Sequence, residues 1–299
     1  MIRIGFDIGG TKLAVIALDP DGTELARMRK DVPRDYVSTL QTLRALVATL
    51  EERHGRVISI GIGMPGMIGS RGELRLVVNL PWLEDRPLRG DLEAATGRPV
   101  AIANDANCFA LSEAVDGAAA DAEVVFGVTL GTGVGGGVVV NRRPLAGANA
   151  IAGEWGHNPL SIVTEADGEP VPCGCGRLGC IETWLNGAAL RRDYLMQGGH
   201  DLDPAEVARR AAEGEAAAQA ALARYQMRLA QALASIINIL DPDAIVLGGG
   251  LSAISSHYEN VPKQWHRFTV ARQPVTPLLP ARFGSDSGLR GAAWLGQQP

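Results

Sequence analysis

Apolar residues recur along the first part of the chain at spacings that predict strands and helices in turn. Short apolar runs bounded by turn residues predict strands, and apolar residues at three- and four-residue steps predict helices. This part of the chain therefore opens with three consecutive strands, an antiparallel meander, followed by helix–strand units. The predicted strands cover residues 2–8, 11–18, 23–30, 57–63 and 99–103, and the predicted helices cover 35–54 and 106–115.

The same order starts again near residue 123. Strands are predicted over residues 123–130, 138–141 and 244–247, with a glycine loop over 131–137 and a long helix over about 215–240. Apolar residues along one face of that helix indicate that it belongs to the core.

Two pairs of segments indicate a weak internal repeat. Residues 7–11 have a counterpart at 130–133, and residues 60–63 have one at 245–248. A repeated run of meander and helix–strand units predicts an α/β protein of two halves, each a mixed sheet with flanking helices, and a cleft between them. The small and polar residues at 116–121 are the expected hinge.

Composition and charge narrow the class of protein. Of the 299 residues, 46% are hydrophobic and 20% are charged, as in a soluble globular protein. The 28 Lys and Arg residues against 33 Asp and Glu give a net charge of −5, which argues against a nucleic-acid partner. The N-terminus has no charged leader before an apolar segment, and no apolar run is long enough for a membrane span. We therefore expect a cytoplasmic protein without a membrane partner.

Clustered glycines mark backbone that turns sharply or approaches a ligand closely. Residues 61–66 and 131–136 match the spacing G-x-G-x-x-G, but neither segment opens a helix, which argues against a dinucleotide site. Residues 5–12 fail as a P-loop because Thr11 precedes Lys12 and a strand follows. A glycine turn between strands is either a tight hairpin or an anion nest of N–H groups. Equivalent loops in both halves favour phosphate binding, with Mg²⁺ between the phosphate and Asp7.

Asn104 and Asp105 end a predicted strand and begin a predicted helix. One interpretation is an N-cap, because Asn and Asp are preferred there. A second interpretation, compatible with the first, is that Asp105 accepts a proton in phosphoryl transfer, a reaction whose loose transition state asks little of a base. The helix dipole is expected to keep this carboxylate ionised.

Three cysteines, Cys173, Cys175 and Cys180, fall within a short glycine-rich segment. A disulfide between Cys173 and Cys175 would be strained and would leave the third thiol over, so a metal site is favoured over an oxidised cluster. Tetrahedral zinc needs a fourth nitrogen or sulfur ligand, and His157 is the nearest upstream histidine. Four protein ligands leave no open position, so the zinc is expected to be structural. Cys108 is interpreted as a helix core residue.

These motifs together resemble the ROK branch of bacterial sugar kinases in the actin-like ATPase superfamily. The resemblance covers essentially the whole chain and includes the signature C-x-C-G-x-x-G-C-x-E, which ends at Glu182. The other segments that carry it are residues 7–12, 104–105, 130–133, 245–250 and 288–293.

The resemblance implies a two-domain actin-like ATPase fold of the ribonuclease-H-like type. Residues 1–117 are expected to form a small N-terminal domain, and residues 118–286 a larger C-terminal domain that carries the zinc loop. The C-terminal helix, about 287–299, is expected to return to the small domain. A homodimer is also implied.

The resemblance further implies an ATP-dependent sugar kinase that uses Mg²⁺ and holds a structural Zn²⁺. Asp105 is implied as the catalytic base, and His157 is implied both at the metal and at the sugar. The implied ATP-binding residues are Asp7, Gly9, Gly10, Thr11, Lys12, Gly131, Thr132, Gly133, Gly135, Gly136, Gly249 and Gly250. The implied sugar-binding residues are Gly66, Asn79, Asn104, Asp105, Glu154, His157 and Glu182, and the implied metal ligands are His157, Cys173, Cys175 and Cys180.

Alternatives exist for both the class and the acceptor. One alternative is a sugar-responsive ROK regulator, which would carry a helix-turn-helix before the first glycine loop. Here that loop begins at Gly5, so a kinase is favoured. A second alternative, an actin-like polymer or chaperone, does not explain the cysteines. Residues 79–83, 112–120 and 153–160 look most like the fructokinase (manno-fructokinase) subgroup, so the expected reaction converts D-fructose to fructose 6-phosphate. N-acetylglucosamine, mannose or glucose is the alternative acceptor.

Overall fold

A computed structural model describes residues 1–69, 72–77 and 79–297, and the chain divides into two compact units. Within the described ranges, we find no helix that combines the length and the apolar character needed to span a bilayer. Unit 1 comprises Met1–Glu123, Gly137–Gly153 and Ser285–Pro299, and unit 2 comprises Val124–Gly136 and Glu154–Gly284.

The first sheet brings three strand ends to one edge. Its order is β3–β2–β1–β4–β7, where β1, β2 and β3 are antiparallel neighbours and β4 and β7 run parallel to β1. Because the carboxyl ends of parallel strands share an edge, the residues near the ends of β1, β4 and β7 lie there together. The strands between residues 1 and 104 are β1 (Ile2–Ile8), β2 (Lys12–Leu18), β3 (Glu24–Asp31), β4 (Val57–Met64), β5 (Met67–Ile68), β6 (Leu74–Arg75) and β7 (Val100–Asn104).

Helices α1 (Tyr36–His54), α2 (Leu88–Thr96) and α3 (Asp105–Val115) complete most of unit 1. Helix α1 begins where the Asp35 side chain accepts a hydrogen bond from the Ser38 N–H, and it ends before Gly55. Its leucines at three- and four-residue steps are buried against the sheet, as the sequence predicts.

The second sheet has the same order as the first. It runs β10–β9–β8–β11–β12, with β11 parallel to β8 and β12 parallel to β11. The predicted repeat is therefore a repeat of topology. Its strands are β8 (Val124–Leu130), β9 (Val134–Val140), β10 (Arg143–Pro144), β11 (Ala244–Gly248) and β12 (Leu278–Pro280).

Five helices belong to unit 2, and the longest supports the others. Along this longest helix, α7, Leu222, Leu229 and Leu233 are buried, which confirms the predicted core face. The helices are α4 (Ile181–Leu185), α5 (Gly187–Met196), α6 (Pro204–Ala212), α7 (Ala216–Leu240) and α8 (Ser256–Asn260).

The last helix, α9 (Ser287–Trp294), lies against α3 and the first sheet within unit 1. A β-carbon on Gly291 would lie 1.6 Å from the Cys108 carbonyl oxygen, so glycine is required at this crossing. The Arg290 guanidinium pairs with Asp116 and donates to the Gly22 carbonyl oxygen, 2.7 Å away. The sequence predicts a helix over 287–299, whereas α9 ends at Trp294. Residues 298 and 299 lie outside the described ranges.

Two further boundaries differ from the sequence-based ones by several residues. The glycine loop predicted over 131–137 is a turn of residues 131–133 only, because the following glycines already belong to β9. Residues 137–153, assigned from the sequence to the larger domain, group with unit 1. The reason is a close approach to α3, since a β-carbon on Gly137 would lie 2.6 Å from the Ala106 carbonyl oxygen.

Candidate active site

The turn between β1 and β2 gathers three of the predicted ATP-binding residues. The Gly9 N–H donates to the Lys12 carbonyl oxygen over 2.9 Å and closes the turn. Gly10 lies against Asn79, since a β-carbon on Gly10 would be 3.3 Å from the Asn79 Cβ. Thr11 is exposed at the tip, and the exposed Lys12 ammonium pairs with Asp31, a partner that the sequence did not indicate.

Asp7, near the end of β1, has an altered acidity. The pKa of this carboxyl is raised to about 6, because burial and then the negative charge of Asp105 raise it more than Arg29 on β3 lowers it. Two neighbouring carboxylates that are partly shielded from water favour the binding of a cation, because the cation offsets their mutual repulsion. Arg29 was missed by the sequence reasoning, because only the register of β2 and β3 brings it near Asp7.

Asn104 and Asp105 lie where β7 ends and α3 begins. Asn104 is the N-cap, with its side-chain oxygen accepting from the Ala106 N–H at 2.8 Å and its amide donating to the Gly66 carbonyl oxygen at 3.1 Å. Asp105 is the first helical residue, and its Oδ1 accepts from the same Ala106 N–H at 2.9 Å. The structure therefore brings Gly66, Asn104 and Asp105 together.

Burial and the helix terminus act on Asp105 in opposite directions. The sequence predicts that the helix dipole keeps this carboxylate ionised. Loss of hydration raises the pKa of Asp105 above its ordinary value, and hydrogen bonds from the Ala106 and Asp105 N–H groups only partly oppose this shift. The side chain still reaches solvent, so the carboxylate is accessible and also more basic than a surface aspartate.

Four predicted metal ligands of unit 2 converge. One ligand atom from each of His157, Cys173, Cys175 and Cys180 lies within 4.8 Å of the others. The His157 Nδ1 is 3.4 Å from the Cys173 Sγ, and the Cys175 and Cys180 sulfurs are 3.6 Å apart. Around tetrahedral zinc, such atoms stand ~3.5–3.8 Å apart, given bonds of about 2.0 Å to nitrogen and 2.3 Å to sulfur. The donor set and its spacing fit a zinc ion, and all four cysteines of the chain carry free thiols.

His157 has its two ring nitrogens directed to different neighbours. Its Nδ1 faces the Cys173 sulfur, and its Nε2 is 3.7 Å from the Glu154 carboxylate. A metal bond at Nδ1 would leave Nε2 as the polar group on the Glu154 side. This fits the expectation that one nitrogen serves the metal and the other remains available.

Glu182 stands at the start of α4 and is joined to the glycine turn of unit 2. Its Oε2 accepts from the Val134 N–H at 3.0 Å, and its Oε1 is 3.7 Å from the Cys173 sulfur. Nearby, the buried Trp155 donates its indole N–H to the Gly135 carbonyl oxygen over 2.9 Å. The sequence motifs did not indicate that Trp155 contacts the glycine turn, although its position between Glu154 and His157 placed it next to predicted site residues.

Gly249 and Gly250 follow β11 and lie beside the end of β8. A β-carbon on Gly249 would be 2.4 Å from the Leu130 carbonyl oxygen, and its φ of 81° also favours glycine. Next to this turn, a cavity of about 550 Å³ opens between α6, α7 and α8. It is lined by Ala208, Gln219, Gln226, Gly250, Leu251 and Ile254, among others.

The sequence matches the profile of the ROK family over residues 3–299. The chain belongs to the ROK family. This ROK chain is 41% identical over 302 residues to the N-acetyl-D-glucosamine kinase of Salmonella paratyphi B, covering 97% of this chain and 98% of that one. It is 38% identical over 296 residues to the N-acetyl-D-glucosamine kinase of Vibrio parahaemolyticus, with 97% and 98% covered.

Solved ROK structures resemble it in fold. The ROK hexokinase of Thermus thermophilus superposes with a TM-score of 0.84 at 34% identity, covering 99% of this chain and 97% of that one. A ROK glucokinase of Streptomyces griseus, solved with glucose and AMPPNP, superposes with a TM-score of 0.77 at 28% identity over the full length of both. These likenesses confirm the predicted α/β fold of the actin-like ATPase type.

Proposed function

We propose that this ROK protein is an ATP-dependent sugar kinase that uses Asp105 as its base. The observation that carries the proposal is the Asp7–Asp105 pair beside the first glycine turn, where both carboxyl pKa values are raised. Two carboxylates with raised pKa values, placed beside a turn that can bind phosphate, suit phosphoryl transfer to a hydroxyl, because one can bind a cation and the other can accept the proton. Sugar kinases as full-length relatives support the same activity.

Each unit offers glycine turns that suit a nucleotide. In unit 1, residues 9–12 offer backbone N–H groups and the Thr11 hydroxyl to phosphates. In unit 2, residues 131–136 offer the same groups with Thr132, and Gly249 and Gly250 are expected to border the nucleoside. Asp7 suits a Mg²⁺ ion, since burial and the neighbouring negative charge of Asp105 raise its pKa to about 6, and a cation would relieve both effects. When bound, Mg²⁺ supplies charge neutralisation to the phosphates.

The reaction requires one proton acceptor. The sugar hydroxyl oxygen forms a bond to the γ-phosphorus while the bond from that phosphorus to the β–γ bridging oxygen breaks, and ADP leaves with the electron pair. The hydroxyl proton passes to the Asp105 carboxylate, which the Ala106 N–H orients. Because the pKa of Asp105 is raised, the carboxylate is a better proton acceptor than an aspartate with the ordinary pKa.

Each unit offers polar groups that suit a sugar. In unit 2, Glu154, His157 and Glu182 would accept or donate hydrogen bonds to hydroxyl groups. In unit 1, Gly66, Asn79 and Asn104 are the sugar-side residues that the family resemblance implies. Zinc bound at the four-ligand cluster would fix the ring orientation of His157, which is a structural role.

A cytoplasmic location and a homodimer remain predictions from the sequence.

Among acceptors, N-acetylglucosamine has the best support. The relatives with the highest identity quoted above are N-acetyl-D-glucosamine kinases over nearly their whole length, so they favour the alternative acceptor over fructose. Fructose is the second candidate, and it rests on residues 79–83, 112–120 and 153–160, which resemble the fructokinase subgroup. Similar hexoses differ by one or two hydrogen bonds, so a few side chains decide between them.

A coupled assay of ADP release over a sugar panel separates these candidates. We expect kcat/KM for N-acetylglucosamine to exceed the values for fructose, mannose and glucose by at least about tenfold, since an unmatched buried polar group costs that much or more. N-acetylmannosamine, which keeps the acetylamino group, is the matched control. A higher kcat/KM for fructose would replace the first acceptor by the second, and ADP release without dependence on any sugar would refute the kinase itself.

The raised carboxyl pKa values predict a pH-dependent rate. Both acids must be ionised, and the pKa of Asp7 is raised to about 6, so kcat/KM should rise as the pH increases through that value and level off above it. Arg29 lowers the pKa of Asp7, so Arg29→Gln should move the rise to higher pH, whereas Lys30→Gln on the same strand should not. A profile that is flat from pH 5 to pH 8 would contradict this assignment.

A further inference from the structure

The glycine turn of unit 2 is contacted at three points, two of which come from segments next to metal ligands. We name residues 131–135 the phosphate turn. The Gly187 N–H donates to the Gly131 carbonyl oxygen over 2.8 Å, where α5 begins. The Val134 N–H donates to Glu182 over 3.0 Å, and the Gly135 carbonyl oxygen accepts from the Trp155 indole over 2.9 Å. The backbone of the turn is therefore held from α4, from α5 and from the segment before His157.

Glycines make these contacts sterically possible. A β-carbon on Gly133 would lie 2.8 Å from the Glu182 Oε2, and one on Gly156 would lie 2.2 Å from the Val134 carbonyl oxygen. The Trp155 ring is buried and meets Phe126 of β8 edge-on, with ring centroids 5.6 Å apart. The indole is thus fixed by the second sheet when it donates to the phosphate turn.

The contacting side chains are next to metal ligands along the chain. Trp155 precedes His157 by two residues, and Glu182 follows Cys180 by two residues. The Glu182 Oε1 also lies 3.7 Å from the Cys173 sulfur. Any rearrangement of the four ligands therefore displaces the groups that hold the phosphate turn.

We propose that Trp155 and Glu182 are positioning residues that couple the metal cluster to the phosphate turn. The cluster then sets the affinity for nucleotide in addition to holding His157 on the sugar side. The inference rests on the proposed function, in which the phosphate turn binds the nucleotide phosphates.

The physical basis is preorganisation. A glycine-rich turn has many conformations of similar energy, and binding a phosphate selects one of them at an entropic cost. Three hydrogen bonds from a metal-braced frame restrict the turn before the nucleotide arrives. One neutral hydrogen bond contributes roughly 0.5–1.5 kcal/mol, which corresponds to an affinity change of about two- to twelvefold.

Two matched tryptophan variants test the inference. Trp155 and Trp184 are both buried, and each donates its indole N–H to a glycine carbonyl, but the acceptor of Trp184 is Gly179, outside the phosphate turn. MgADP binding is measured by calorimetry on the zinc-loaded protein, without sugar. We expect Trp155→Phe to weaken MgADP binding about fivefold and Trp184→Phe to change it less than twofold, with metal content and KM for the sugar unchanged in both.

The possible outcomes are distinct. Equal MgADP affinity in the wild type and Trp155→Phe overturns the coupling, and so does an equal loss in both variants, because that indicates general loosening. If the wild type binds no MgADP at all, the proposed function fails together with the inference. Circular dichroism at the assay temperature verifies that both variants are folded.

Glu182 provides a second test. Glu182→Gln keeps a side-chain oxygen that can accept from Val134, whereas Glu182→Ala removes it. We expect MgADP affinity to fall by about fivefold in Glu182→Ala and to be largely retained in Glu182→Gln. Removing the metal from the wild type by a chelator should also weaken MgADP binding. Unchanged affinity in the alanine variant or in the metal-free protein contradicts the inference.

Discussion

Asp105→Asn is expected to lower kcat by at least ~100-fold, the range of general acid–base catalysis, with little change in KM for the sugar. Asparagine has the same shape and keeps an oxygen that can accept the Ala106 N–H, so α3 should begin as before. It cannot take the hydroxyl proton, because an amide is not basic enough. Initial rates at saturating ATP and sugar measure the effect.

Asp21→Asn serves as the control for this experiment. Asp21 is an exposed aspartate in the turn between β2 and β3, and its replacement should leave kcat within about twofold. The melting temperature of both variants should equal that of the wild type within a few degrees. Turnover retained in Asp105→Asn would remove Asp105 from the catalytic role.

Cys175→Ser is expected to release the metal and to lower the melting temperature by more than about 5 °C. Cys175 is the exposed member of the cluster, so the substitution empties no core position, and the loss of a thiolate ligand is the main change. Serine hydroxyl binds zinc poorly compared with thiolate. Elemental analysis should give one zinc per wild-type chain and less in the variant.

Chelation of the wild type is the matched comparison. Wild-type protein stripped of metal should melt near the temperature of untreated Cys175→Ser, since both lack the same cross-link between the Cys173–Cys180 segment and His157. Wild-type protein that contains no metal, or a variant that melts like the wild type, would contradict a structural zinc.

Local patterns were sufficient to predict most elements of the fold. The leucines of α1 recur on one face, and a glycine follows the end of the helix. Residues close together in sequence are therefore enough to predict both the helix and its end. The metal cluster was predictable for the same reason, because three ligands lie close in sequence and His157 is the nearest upstream histidine. The repeated sheet order followed from the repeated order of strands and loops.

Contacts between distant segments explain what the sequence did not predict. In β9, the Gly135 carbonyl accepts from the Trp155 indole and Gly137 leaves room for α3, and neither neighbour is close in sequence. The raised pKa of Asp105 depends on how densely the protein surrounds the carboxylate, which no local motif reports. The pairing of Lys12 with Asp31 depends on strand register.

The acceptor shows a different limit. Short segments resemble fructokinases, whereas the full-length comparisons favour N-acetylglucosamine kinases. The choice between similar sugars depends on a few hydrogen bonds to the sugar. Overall sequence identity and short motifs therefore give only indirect information about the preferred sugar.

The most direct test of the central claim follows the γ-phosphoryl group itself. Purified protein is incubated with Mg²⁺, γ-labelled ATP and N-acetylglucosamine or fructose, and the labelled products are separated. We predict label on the sugar in a one-to-one ratio with ADP, and almost none with Asp105→Asn under the same conditions. Label released only as inorganic phosphate, or at the same rate without sugar, would contradict the account.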